Sequence, residues 1–67
     1  MTTFISRMVK EFDELTGRIE KLNAFVISDQ FNLLPEVDRV DLTEQLKHMD
    51  RYREVLSRRL SRFAGAA

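Results

Sequence analysis

Ile5, Met8, Phe12, Leu15, Ile19, Leu22 and Val26 recur at spacings that alternate between three and four residues. A repeat averaging 3.5 residues keeps one apolar seam turned toward a neighbouring helix and favours left-handed supercoiled packing. It does not match the two-residue period of a half-buried strand. The pattern predicts a first helix over about residues 3–28, with Thr2 or Thr3 capping it by accepting a bond from an early backbone N–H. Gly17 falls opposite the seam, where it costs about 1 kcal/mol relative to alanine, and reads as an exposed position.

A second repeat, Leu42, Leu46, Met49, Leu56, Leu60 and Phe63, has the same spacing with one position taken by Arg53. Between the two repeats, Ser28 and Asp29 suit a turn or a short capped helical piece. Phe31, Leu33 and Leu34 are expected to close the bottom of the core. Pro35 fits the first position of a new helix, where its missing N–H is not needed, and Glu36 and Asp38 complement the positive end of that helix. The second helix is expected over about 35–63, ending near Gly65 as a cap. At ~1.5 Å per residue each helix is about 40 Å long, and the short connection over 29–34 turns the second back along the first. The expected fold is all-α: residues 1–67 form a single domain, a coiled-coil-like antiparallel two-helix hairpin.

Such a hairpin is short of core. A chain of 67 residues is in the range that usually needs disulfides, a metal or oligomerisation for stability. It has no cysteine and one histidine, so a homo-oligomer is expected. Phe4, Val9 and Phe25 flank the first seam and Val55 flanks the second. These four are the expected oligomer interface, because one partner helix cannot cover so wide an apolar stripe. The apolar fraction of 43% and the charged fraction of 33%, with two glycines and one proline, favour long helices over disorder. No apolar run approaches a membrane span. Arg7, Lys10 and Glu11 interrupt any leader-like segment. A soluble, cytoplasmic chain is expected.

The net charge is zero, but it is unevenly spread. Residues 28–50 hold two basic and six acidic side chains, net −4, and residues 51–67 hold five basic and one acidic, net +4. In a hairpin, Arg7 and Lys10 come beside Arg58, Arg59 and Arg62 at the open end, and the carboxylates gather at the bend.

Catalysis finds little footing. No strand is readable, so no phosphate loop or nucleophile elbow can form. Glu44 and His48 share a helix face, but a solvated histidine with an acidic neighbour explains them without a metal. No metal and no cofactor is expected, and an enzyme is not. The arginines of the second helix read in two ways. Basic residues near a helix C-terminus oppose its dipole, and guanidinium forks also suit phosphate. Arg53 stands at a seam position, where a charge needs a partner or a ligand; Glu11 and Glu14 lie within reach in a hairpin. Arg53, Arg58 and Arg59 with Tyr52, an aromatic able to stack on a base, form the candidate ligand site. Duplex nucleic acid is not expected, because the pI of about 6.6 lacks the basic footprint of such proteins.

Glu11, Leu15, Ile19-Glu20-Lys21-Leu22, Phe25-Val26, Ser28, Phe31, Leu34-Pro35, Leu42, Glu44-Gln45-Leu46, Met49, Tyr52, Val55-Leu56 and Arg58-Arg59-Leu60 form a pattern that resembles small phage-encoded proteins related to a crAss-like phage gene product. The resemblance implies a bacteriophage or prophage origin and carries no activity with it. The architecture is also similar to helical-hairpin counter-defence proteins that assemble and sequester cyclic nucleotide signals; no ligand-contacting residue is carried over from them. The expected function is phage counter-defence by stoichiometric binding of a small phosphorylated nucleotide. The alternative is a helical interaction module that docks on a host or phage protein through its apolar flanks.

Overall fold

The computed structural model describes residues 3–65, with side chains over residues 4–63. Helix α1 spans Thr3–Val26, a short α2 spans Asp29–Asn32, and α3 spans Glu36–Gly65. There is no strand among the described residues. The two long helices pack against each other as a hairpin, giving a rod of 49 × 14 × 14 Å. Thr2 lies outside the described residues.

Every residue of the first seam is buried or half-buried. The enclosed core is Met8, Leu15 and Ile19 from α1 with Leu56 from α3, and Phe12, Leu46, Met49 and Leu60 pack around it. Burying such side chains stabilises by roughly 1.5–3 kcal/mol each. A core this thin leaves the helices dependent on contacts along their whole length. Gly17 has open space where a side chain would project, as expected of a position away from the seam.

The bend is more ordered than a plain loop. The Ser28 backbone N–H donates to the Phe25 carbonyl at 3.0 Å, and its hydroxyl donates to the same oxygen at 2.6 Å. Ser28 therefore ties off the end of α1 and does not cap α2 with its side chain. The Phe25 and Phe31 rings meet edge to face at 6.1 Å, and Phe31 and Leu34 are half-buried. Leu33 departs from expectation: it is 84% exposed, because the tight turn after α2 points it outward. Pro35 lies just before α3, and its carbonyl accepts from the N–H groups of Asp38 and Arg39 at 3.1 Å. That is the role of the residue flanking a helix start, one position earlier than the sequence suggests.

Candidate functional site

Helix periodicity places Phe4, Arg7 and Glu11 on one side of the α1 seam, and Tyr52 and Arg59 on the facing side of α3. The antiparallel packing joins them. The Tyr52 hydroxyl donates to Glu11 Oε2 at 3.1 Å across 41 residues of sequence. With Met8 and Leu56 as floor, these five side chains line a hollow of about 190 Å³. The Phe4 ring stands edge-on to Phe63, centroids 5.1 Å apart, which fixes its position at the mouth.

The hydrogen bond to Glu11 holds the Tyr52 phenol above its ordinary pKa of 10.0. Desolvation and the Glu11 charge push the same way, and Arg59 and Arg18 oppose them. Tyr52 itself is 42% exposed, so its ring is open to a stacking partner.

The four residues proposed from sequence do not all converge. Tyr52 and Arg59 share the hollow. Arg53 does not line it, and its Nη2 donates to Asp50 Oδ1 at 3.0 Å. Its partner is thus one turn away on its own helix, and neither Glu11 nor Glu14. Glu11 is engaged by Tyr52. Arg58 is exposed and does not line the hollow. Arg51 pairs with Glu54 at 2.9 Å. Among the described residues these are the two ion pairs, so Arg7 and Arg59 enter the hollow without a carboxylate bound to them. Arg7 is the member that the candidate set lacks. The signal for it was the hairpin itself, which sets Arg7 beside the arginines of the second helix.

Of the expected interface residues, Phe4 and Val9 are exposed. Val55 is half-buried, and Phe25 is half-buried against Phe31. A larger hollow, about 500 Å³, lies at the closed end between Phe31 and the first turns of α3. Its charged lining mixes Glu36 and Glu44 with Arg39 and Lys47, so it presents no single sign to a ligand. Its size does not make it the better site. No group of three or more metal-ligating side chains occurs among the described residues. No described helix is long and apolar enough to cross a membrane.

No curated protein and no solved structure matches the chain. The family model described as Sequestin matches residues 2–62, which takes in both long helices and the bend. The chain belongs to the Sequestin family.

Proposed function

We propose that this protein sequesters a small phosphorylated, nucleotide-type ligand, one intact molecule held per site and none turned over. The family name is compatible with sequestration. The observation that carries the ligand class is the hollow in which Arg7 and Arg59, neither ion-paired among the described residues, stand beside the exposed ring of Tyr52. Arginine forks bind phosphate through charge-assisted hydrogen bonds. Stacking of a base on an aromatic ring is worth about 1–3 kcal/mol and tolerates any base. Glu11 repels phosphate, so the anion sits toward the two arginines. The carboxylate is left to accept from a hydroxyl or an exocyclic amine of the same ligand.

Binding without chemistry suits a phage accessory protein whose role is to remove a host immune signal from solution, working in the host cytoplasm as a homo-oligomer. Calorimetry against a panel of cyclic and ADP-ribose-derived nucleotides tests the reading. Saturable binding of at least one member, recovered unchanged, is expected. Absence of heat for every member overturns it.

A second reading is favoured by the exposed Phe4 and Val9: a helical module that docks on a host or phage protein through its apolar flanks. Capture of one defined partner that survives replacement of Arg58 and Arg59 by alanine, with no nucleotide bound, supports that reading.

A further inference from the structure

The hairpin exposes more surface than its mass requires. Its accessible area is 5278 Å², whereas a compact monomer of 7.9 kDa exposes about 4,400 Å². The excess, roughly 900 Å², is near the ~800 Å² that each partner gives to a standard specific interface.

The distribution of charge says what covers it. On α3, Asp41, Glu44, His48, Tyr52, Val55 and Arg59 follow one another at spacings of three or four and so share one face beside the seam. Val55 and Arg59 are half-buried and the others exposed. Val37, 69% exposed, and Arg62 extend the stripe at its two ends. Its first half carries carboxylates and its second half guanidinium groups, with His48, Tyr52 and Val55 between. A stripe whose charge inverts about its middle complements itself when run antiparallel, and a twofold axis then makes each contact twice.

We propose that this face binds a second copy of the chain, antiparallel, with the twofold axis crossing the stripe midway between His48 and Tyr52. That register sets Asp41 against the partner's Arg59, His48 against the partner's Tyr52, and Val37 toward the partner's Phe63. The hollow lined by Tyr52 and Arg59 lies in the same face, so the partner's His48 closes its open side. The pairing does not rest on the ligand reading, because area and charge alone carry it, and its test uses ligand-free protein.

Sedimentation equilibrium of the full chain is expected to show a dimer that weakens as salt is raised. Two charge-swap variants fix the register. Asp41→Arg with Glu44→Arg sets like charges together across the axis, and so does Arg59→Glu with Arg62→Glu. Each variant alone is expected to raise the dimer dissociation constant by about 100-fold or more. Mixed one to one, they are expected to restore a dimer containing one of each. A variant that is unfolded alone and regains helical circular dichroism on mixing supports the pairing equally. A wild-type chain that stays monomeric at every concentration overturns the proposal. So do variants that dimerise as the wild type does, or a mixture that forms no heterodimer.

Discussion

Tyr52 Oη lies 3.1 Å from Glu11 Oε2 and donates to it, tying the middle of α3 to the first half of α1. It bridges the helices in the register that brings Arg7 and Arg59 into one hollow. Because the bond favours the neutral phenol, it also makes the site sensitive to alkali. The folded-state pKa is raised above 10.0, so the bond's contribution is complete below pH 10.0 and is lost as pH climbs through the raised value. Ultraviolet titration of this single tyrosine should give a midpoint above 10.0, and Glu11→Gln should lower it. Thermal stability should show no Tyr52-dependent change near neutrality and a fall on the alkaline side.

The two arginine environments predict opposite mutational outcomes. Arg59→Ala and Arg7→Ala each remove from the hollow a guanidinium that pairs with no carboxylate among the described residues, and should weaken nucleotide binding by about 10–100-fold, the range of a charge-assisted hydrogen bond. Arg53→Ala removes a group held by Asp50 and should leave affinity within about threefold. Calorimetric titration of the three variants separates them. Equal losses for all three would place the ligand elsewhere.

Among the described residues Leu56 is the one α3 side chain in the enclosed core, packed against three residues of α1. Leu56→Ala should cost about 2–5 kcal/mol. In a chain with so small a core this is a large share of total stability. Urea unfolding followed by helical circular dichroism measures it.

Gly17 lies inside α1 and would meet nothing with an added methyl group. Gly17→Ala should therefore stabilise by about 0.8–1 kcal/mol through helix propensity alone. The denaturation midpoint should rise with no change in nucleotide affinity.

The hairpin was legible in the sequence because its information is periodic. The seam residues announce one buried face on each helix, and the short bend leaves one way to bring the faces together. The candidate site was legible only in part. Spacing cannot say how far one helix slides along the other, and that offset decides that Tyr52 meets Glu11 while Arg53 finds Asp50 one turn away. Leu33 was misplaced for a similar reason. An apolar residue in a tight turn goes where the backbone points it, and here it points to solvent. The role of Ser28 was equally hidden, since a serine can tie back to the preceding helix or cap the following one.

Sequestration requires that the protein hold an intact nucleotide-type ligand and release the same molecule. Native mass spectrometry of the purified chain with the cyclic and ADP-ribose-derived panel measures this directly. A complex heavier than the free protein by whole, unmodified ligand masses is expected, lost when Arg7 and Arg59 are both replaced by alanine. Spectra showing protein without adduct for every nucleotide, or the appearance of cleaved ligand, would contradict it.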